Sequence, residues 1–185
     1  VPEIYHSHLP PGTVLGTDTE GKTKGNDLKK LTPMSTFDND CEVLVQALKS
    51  YPACNGRVGA IGFCKRHVVK LRISNISILG IGGHLAFRAS LNPNVVASAS
   101  FYPTDVHSGT LSTEPADTIN RLNDIKGELV VVVGRQDPHV PKDGRLKLFT
   151  ALQNSTANYC FHEVNGDHSF MTVRYLCLIT NYRDI

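Results

Sequence analysis

The setting of one cysteine, Cys64, suggests chemistry. The apolar segment 57–64 ends in Cys64, and its branched and aromatic residues favour a buried strand. In a nucleophile elbow, a strand turns sharply into a helix and exposes the reactive side chain. A helix N-terminus favours an anion there, which suits a thiolate. The alternative is a small buried core residue, since Gly-x-Cys alone is a weak signal.

A carboxylate and a histidine occur further along, each just after another predicted strand. Asp137 follows the valine-rich segment 128–133, and His168 follows the short segment 160–164. Open α/β sheets bind ligands at the carboxyl ends of their strands, so the two side chains are expected near Cys64. The order nucleophile, acid, histidine is that of α/β-hydrolase triads. His139 is too near Asp137 in sequence to aim across a pocket, and we reject it as the base.

Six short motifs give the sequence a resemblance to a known family. They are Pro2-Glu3-Ile4-Tyr5, Gly59-Ala60-Ile61-Gly62-Phe63-Cys64, Ile81-Gly82-Gly83-His84-Leu85-Ala86-Phe87-Arg88, Phe101-Tyr102-Pro103, Gly134-Arg135-Gln136-Asp137-Pro138-His139-Val140-Pro141 and Asp167-His168-Ser169-Phe170-Met171. Together they resemble the dienelactone hydrolase family, the carboxymethylenebutenolidase-like α/β-hydrolases. The similarity extends from Val1 to about Met171, with one interruption.

The resemblance implies a fold, a reaction and roles for residues. The fold would be an α/β-hydrolase fold, an α/β architecture with a mostly parallel sheet flanked by helices, incomplete at its N-terminus. The reaction would be hydrolysis of a lactone or activated ester. Cys64 would be the nucleophile, His168 the base and Asp137 the acid that orients it. Apart from the resemblance, Tyr102 and His107 lie in a loop expected at the active-site edge and are candidates for lining the substrate pocket, the alternative being residues that only shape that loop.

The sequence also departs from the family pattern. Residues 65–80 interrupt the expected Gly-x-Cys-x-Gly-Gly, which is restored when Cys64 is joined to Ile81. This insertion is a retained intron read in frame or, alternatively, a tolerated surface loop. Residues 172–185 form a divergent tail. The family's two substrate-binding arginines are matched by Ser7 and Thr172, which puts dienelactone itself in doubt as the substrate.

Local patterns predict the elements that would carry these residues. We expect a loop over residues 16–32, and a helix from Thr36 to about Ser50 that buries Val43, Leu44, Ala47 and Leu48. Helices are predicted over 83–91 and 143–153, the second burying Leu146, Leu148, Phe149 and Leu152. Residues 112–126 are predicted as a lid-like loop with a short helix over 116–122. Strands are predicted over 95–102 and 129–133. His84 and Arg88 are expected to be exposed or packed, the alternative being an approach to the site.

Length and composition limit the remaining possibilities. A chain of 185 residues with 41% hydrophobic residues fits one partial α/β-hydrolase domain over residues 1–185. No apolar run is long enough to span a membrane. The net charge is +2, and the insertion alone contributes four basic residues. The rest of the chain is therefore mildly acidic, so no nucleic-acid partner is expected. The oligomeric state is left open.

The cysteines bear on location and cofactors. Their count of five, with no Cys-x-x-Cys spacing, favours reduced thiols in the cytoplasm, as does the lack of a recognisable signal peptide. No cofactor is expected, and no metal, because the pair His6 and His8 has no evident third ligand. The expected partner is a small lactone or ester. Two alternatives to an active hydrolase are a catalytically weak or inactive remnant of the family and a redox-sensing thiol at Cys64.

Overall fold

The computed structural model describes residues 3–16, 18–64 and 81–171. The predicted insertion over residues 65–80 and the predicted tail over 172–185 lie outside the described residues. After an initial pair of helices, the described part contains four strands, and an α-helix separates each strand from the next except β2 from β3. In chain order they are α1 (Thr19–Leu31), α2 (Met34–Lys49), β1 (Val58–Phe63), α3 (Gly82–Ala89), β2 (Val95–Phe101), β3 (Glu128–Gly134), α4 (Lys142–Gln153) and β4 (Asn158–Val164).

The four described strands form one parallel sheet in the order β1-β2-β3-β4. Phe63 is paired with Phe101, and Phe101 with Val132, so the first three strands end close to one another. Gly134 and Val164, the last residues of β3 and β4, are also paired. The segments that follow all four strands therefore emerge at one edge of the sheet, as the sequence predicted.

The core is divided among three clusters of buried apolar residues. The largest lies between β3, α4, α3 and the segments around them, and its fully buried members include Phe87, Leu129, Val131, Leu148 and Leu152. A second cluster joins α2 and α3 through Met34, Phe37, Ile81 and Leu85. The third joins α2 to β1 and β2 through Val45, Val58 and Val95. Burial of this apolar surface is the main favourable term in folding.

The loop predicted over residues 16–32 is wrong, because Thr19–Leu31 forms helix α1. Its N-terminus is capped by Asp18, whose Oδ1 accepts the Gly21 N–H at 2.8 Å. Glu20 and the pair Lys29 and Lys30 complement the two ends of the helix dipole. Leu28 is the only buried apolar side chain described in this helix. A helix that buries so little has no apolar stripe from which it could be predicted.

Helices α2 and α4 are where they were predicted, but their buried faces differ in part. Helix α2 starts at Met34, and its fully buried residues are Met34, Phe37 and Val45, while Val43 is 67% exposed. The buried face is set by Met34 and Phe37, which pack against Ile81 and Leu85 at the start of α3. In α4, Leu148 and Leu152 are buried as expected, but Leu146 and Phe149 are exposed.

The segment predicted as a lid-like loop with a helix is packed onto the core. Two 3₁₀ turns, Thr118–Asn120 and Leu122–Asp124, replace the helix predicted over 116–122. Leu111, Ala116 and Leu122 are buried and hold the segment against α2, α3 and β3. His84 and Arg88, which were expected to be exposed or packed, are both buried.

Helix α3 lies close to β1, which precedes it, and to the end of β2, which follows it, and two glycines allow this. A Cβ atom at Gly62 in β1 would collide with the carbonyl oxygen of Gly82 and lie 2.7 Å from the Cβ of Ala86. A Cβ atom at Gly83 would collide with the carbonyl oxygen of Phe101. The atoms in the way are mostly backbone, which cannot rotate aside. Glycine at both positions is therefore required by this packing.

Arg88 ties α3 to two neighbouring segments. Its Nε and Nη2 donate to the two carboxylate oxygens of Asp38 at 2.6 and 2.8 Å, and its Nη1 donates to Asp117 at 2.6 Å. The arginine side chain is 6% exposed, whereas the two carboxylates are partly in solvent. Bidentate pairs of this kind fix geometry as well as contributing energy.

We predict that Gly83→Ala destabilises the protein, by at least about 2 kcal/mol, since overpacking against backbone is costly. The matched control is Gly25→Ala in α1, where a new Cβ would meet only Leu15 Cδ1 at an ordinary 3.5 Å. Alanine in a helix interior is favoured over glycine by up to about 1 kcal/mol. Urea unfolding of both variants measures the difference, and equal stabilities would contradict the packing argument.

We also predict that Arg88→Met lowers the free energy of unfolding by about 2–4 kcal/mol, because it leaves two carboxylates without their shared partner. Arg121→Ala serves as the control, since Arg121 forms an exposed pair with Asp124 at 2.9 Å and should cost less than about 1 kcal/mol. Denaturant midpoints distinguish the two. A loss of stability in Arg88→Met no larger than that in Arg121→Ala would contradict this stabilising role of Arg88.

Candidate active site

Cys64 lies immediately after β1, at the edge of the sheet where all four strands end. The residue is buried, with 7% of its surface exposed. Its backbone N–H donates to the carbonyl of Phe101 at 3.4 Å, and its carbonyl accepts the hydroxyl of Ser169 at 2.6 Å. These bonds join the end of β1 to the end of β2 and to the loop after β4. The thiol therefore lies among the segments predicted to form the site.

Asp137 and His168 are in direct contact. Oδ2 of Asp137 accepts a hydrogen bond from Nδ1 of His168 at 2.8 Å, and Oδ1 accepts the backbone N–H of His139 at 2.8 Å. The Asp137 side chain is fully buried, and that of His168 is 18% exposed. With Nδ1 donating to the carboxylate, Nε2 is the nitrogen left to exchange a proton with another group.

The electrostatics of His168 link it to Cys64 as well. Burial alone would lower the pKa of the imidazole, but hydrogen bonds with Asp137 and with Cys64 and the charges of both groups outweigh burial and raise the pKa to about 9. His168 is therefore protonated at neutral pH in this arrangement. An imidazolium beside a cysteine sulfur favours the thiolate form of that sulfur. The structure thus brings Cys64, His168 and Asp137 together.

Tyr102, one of the two predicted pocket residues, contacts the loop after β4 that contains His168. This loop, residues 165–171, is called the histidine loop below. Tyr102 is 1% exposed, and its hydroxyl accepts the backbone N–H of Met171 at 2.6 Å. Its ring meets those of His168 and Phe170 edge to face, with centroids 5.7 and 4.8 Å away. Burial is the main cause that raises the pKa of its hydroxyl. Its contacts hold the histidine loop in place.

Tyr102 also has a positive φ of 54°, which is uncommon for a residue with a side chain. Its backbone N–H still donates to the carbonyl of Val132 at 2.9 Å, so the chain turns directly at the end of β2. Strained backbone of this kind clusters at functional sites.

His107, the other predicted pocket residue, packs against α4. A Cβ atom at Gly144 would lie 2.6 Å from its ring carbon Cδ2, and its carbonyl accepts Lys147 Nζ at 2.6 Å. Its Nδ1 is buried without a hydrogen-bond partner among the described atoms. Burial lowers the pKa of this imidazole, and the charges of Asp105 and Asp137 oppose that shift.

Sequence reasoning missed three residues around the three candidate catalytic groups, and it considered His139 only as the base. Ser169 bonds the Cys64 carbonyl, and Thr104 Oγ1 lies 3.5 Å from Cys64 Sγ. Tyr5 is close enough that, after burial, the charge of Cys64 is a second cause raising its pKa to about 12. The exposed ring of His139 meets His168 edge to face at 4.6 Å. Ser169, Tyr5 and His139 lie within the motifs already quoted, but Thr104 has no signal beyond following Pro103.

An apolar groove lies apart from these residues, between α2, α3 and β1. It encloses about 540 Å³, including space open to solvent, and its lining residues include Ile4, Phe37, Leu44, Ile61 and Leu85. Cys64, Asp137 and His168 are not among its lining residues. It runs beside β1, an edge strand of the described sheet.

In residues 3–16, 18–64 and 81–171, no group of three or more His, Cys, Asp or Glu side chains is arranged to hold a metal ion. Within the same stretches, every helix is too short or too polar to cross a membrane.

The chain is similar in sequence to known proteins. A sequence model of the dienelactone hydrolase family matches residues 1–175. A protein of Saccharomyces cerevisiae, provisionally named a carboxymethylenebutenolidase, is 31% identical over 176 residues, which are 92% of this chain and 58% of that protein. The chain thus spans 58% of the length of the curated relative it matches.

Solved structures share the fold at low sequence identity. A dienelactone hydrolase-like promiscuous phosphotriesterase from metagenomic libraries superposes with a TM-score of 0.57 at 18% identity, over 89% of this chain and 58% of that one. A Bacillus cereus carboxylesterase superposes with a TM-score of 0.51 at 18% identity, over 82% and 60% of the two chains. These likenesses and the parallel sheet establish the α/β-hydrolase fold. The family match over residues 1–175 shows that the chain belongs to the dienelactone hydrolase family.

Proposed function

We propose that this chain hydrolyses a lactone or carboxylic ester through Cys64, His168 and Asp137. Membership of a hydrolase family supports the class of reaction. The single observation that carries the proposal is the contact of His168 with both other groups, through the 2.8 Å bond to Asp137 and the hydrogen bond to Cys64. Nucleophile, base and orienting acid are then in the order that covalent acyl transfer requires.

The proposed reaction has two halves. In the reactive state His168 Nε2 already holds the proton of the Cys64 thiol, and the thiolate attacks the carbonyl carbon of the substrate to form a tetrahedral intermediate. This intermediate collapses to a thioester as the imidazolium protonates the departing alkoxide, which stays attached to the acyl group when the substrate is a lactone. His168 then accepts a proton from water, the hydroxide attacks the thioester, and the carboxylic acid and Cys64 are released.

The remaining residues have supporting roles in this proposal. Asp137 keeps Nδ1 of His168 protonated and its ring oriented. Tyr102 and Ser169 hold the histidine loop against β1 and β2. His107 and the exposed ring of His139 are proposed to contact the substrate, either when it is bound or as it enters the site. The proposed partner is a small ester or lactone, and the proposed location is the cytoplasm.

Cys64→Ala is predicted to lower hydrolysis of p-nitrophenyl acetate by at least about 10³-fold, because the nucleophile is removed. Asp137→Asn should lower it by about 10²–10⁴-fold, since His168 loses its orienting partner. Cys160→Ala, at an exposed position in β4, is the matched control and should leave the rate unchanged. Initial rates of the purified proteins provide the measurement.

The outcomes separate the alternatives. A rate that survives Cys64→Ala would contradict the thiol mechanism. Equal, negligible rates in all four proteins would instead favour the weak or inactive remnant, and selective oxidation of Cys64 without any hydrolysis would favour the redox-sensing thiol.

We predict that hydrolysis of an alkyl ester falls as pH rises through about 9, the pKa of His168. An alkoxide is a poor leaving group and needs the imidazolium proton, which is present below that pKa and lost above it. Because the bond to Asp137 helps raise the pKa, Asp137→Asn should move this decline to lower pH. Acid release followed in a pH-stat, corrected for spontaneous hydrolysis, gives both profiles. Coincident profiles would exclude this role for Asp137.

A further inference from the structure

A continuous series of buried polar groups connects Arg88 to the candidate nucleophile. Arg88 Nη1 lies 3.0 Å from Thr118 Oγ1, and Thr118 Oγ1 lies 2.9 Å from His84 Nε2. On its other side, His84 Nδ1 lies 3.0 Å from the carbonyl oxygen of Thr104. Thr104 Oγ1 then lies 3.5 Å from Cys64 Sγ, a separation suited to a hydrogen bond with sulfur. All five residues are less than 9% exposed.

The donors and acceptors in this series follow from their chemistry. A guanidinium can only donate, so Thr118 Oγ1 accepts from Arg88 and directs its own hydrogen to His84 Nε2. His84 Nδ1 then carries the ring proton and donates to the Thr104 carbonyl, which can only accept. Both nitrogens of His84 are satisfied in the neutral imidazole. Burial is the main cause that lowers the pKa of His84 to about 4, in agreement with a neutral ring.

Thr104 has little freedom to turn its hydroxyl elsewhere. It follows Pro103, its backbone N–H donates to the Tyr102 carbonyl at 2.7 Å, and its own carbonyl is held by His84. The residue is 6% exposed, and threonine is stiff about χ1 because it is branched at Cβ. Its hydroxyl oxygen is therefore held beside the sulfur of Cys64, and the hydroxyl hydrogen can turn toward a thiolate.

We propose that Thr104 is a catalytic residue that donates a hydrogen bond to the Cys64 thiolate, and that His84 is the residue that positions Thr104. This inference rests on the proposed role of Cys64 as nucleophile. When His168 Nε2 holds the thiol proton, the sulfur accepts from His168 on one side and from Thr104 Oγ1–H on the other. No bond of Thr104 is broken in the reaction.

The hydrogen bond acts where the sulfur is negatively charged. It stabilises the thiolate before attack and weakens once the sulfur is part of a thioester, which is a poorer acceptor. It forms again as the carbon–sulfur bond breaks during deacylation, so it assists the sulfur as a leaving group. Hydrogen bonds to charged groups are stronger than those between neutral groups.

Several other groups bear on the ionisation of this sulfur. His168 contacts it from the loop after β4, with Asp137 behind it, and Tyr5 approaches it from the segment before α1. Next to Thr104, Asp105 is paired with Lys29 of α1 at 2.9 Å. The test therefore changes the Thr104 hydroxyl alone and leaves these groups in place.

The experiment is alkylation of Cys64 by iodoacetamide from pH 5 to pH 9, in the full chain, followed cysteine by cysteine by peptide mass spectrometry. Thr104→Val removes the hydroxyl at nearly constant volume, and Thr104→Ser keeps it. We expect Thr104→Val to slow alkylation of Cys64 on the order of tenfold at the acidic end, where the thiolate is scarce. Thr104→Ser should stay within about twofold of the parent protein, since its donor is retained. Exposed Cys160 is the internal reference and should not change.

A Thr104→Val profile that superposes on that of the parent protein would overturn the proposal, as would an equal loss in Thr104→Ser. For the positioning role, His84→Leu removes the donor to the Thr104 carbonyl, while the amide nitrogen of His84→Asn can replace Nδ1. We expect slowed alkylation with Leu and recovery with Asn. If the two His84 variants fail to fold, as judged by circular dichroism, the Thr104 pair still decides.

Alkylation does not require turnover, so it tests Thr104 independently of hydrolysis. Absence of ester hydrolysis in the parent protein would contradict the proposed function, while the effect of the Thr104 hydroxyl on the sulfur would still be measured. Conversely, normal hydrolysis with no difference in alkylation between Thr104→Val and the parent protein would leave the triad intact and show that Thr104 does not assist it.

Discussion

The contact of α3 with the backbone of β1 and β2 is the constraint on which the site depends. Gly62 and Gly83 permit it, and a methyl group at either would meet backbone atoms. The contact fixes the helix whose His84 and Arg88 reach the segments after β2. It also supports the end of β1, where Cys64 lies. Since interiors are close-packed and transmit displacement, a shift of α3 would move the candidate nucleophile and its neighbours together.

The charge near the sulfur of Cys64 differs between the side of His168 and the side of helix α3. On the histidine side, a buried carboxylate raises the pKa of His168, which favours an imidazolium beside Cys64. On the helix side, His84 is kept neutral by burial and serves only to orient. Two histidines of one protein thus have pKa values shifted in opposite directions, and only one of them has a carboxylate as its hydrogen-bond partner. Environment, more than residue type, assigns their roles.

The roles of Cys64, Asp137 and His168 stay predictions, but the sequence was sufficient for the strands and for a mostly parallel sheet. These features rest on apolar runs and on motifs that do not depend on distant parts of the chain. It failed where tertiary contacts decide: α1 carries one buried apolar residue and is held by a cap and by the pair Lys29 and Asp105. Val43 is exposed for a similar reason, because the stripe of α2 is set by Met34 and Phe37 packing on α3.

The positions of individual polar atoms were beyond reach for a related reason. Thr104 contacts the sulfur only because a turn at Pro103 and the ring of His84 direct it there, and neither is visible as a spacing. Ser169 lies next to His168 in sequence, but its partner is the carbonyl of Cys64. A pattern identifies residues that share an element, whereas these contacts join the ends of different strands.

The ties of the histidine loop bear on the order in which the molecule assembles. The bond from Ser169 to Cys64 closes a loop of 105 residues, and that from Met171 to Tyr102 closes one of 69. Such contacts become favourable only after the strands between them have paired, because closing a long loop is entropically costly. The candidate active site is consequently a late product of folding.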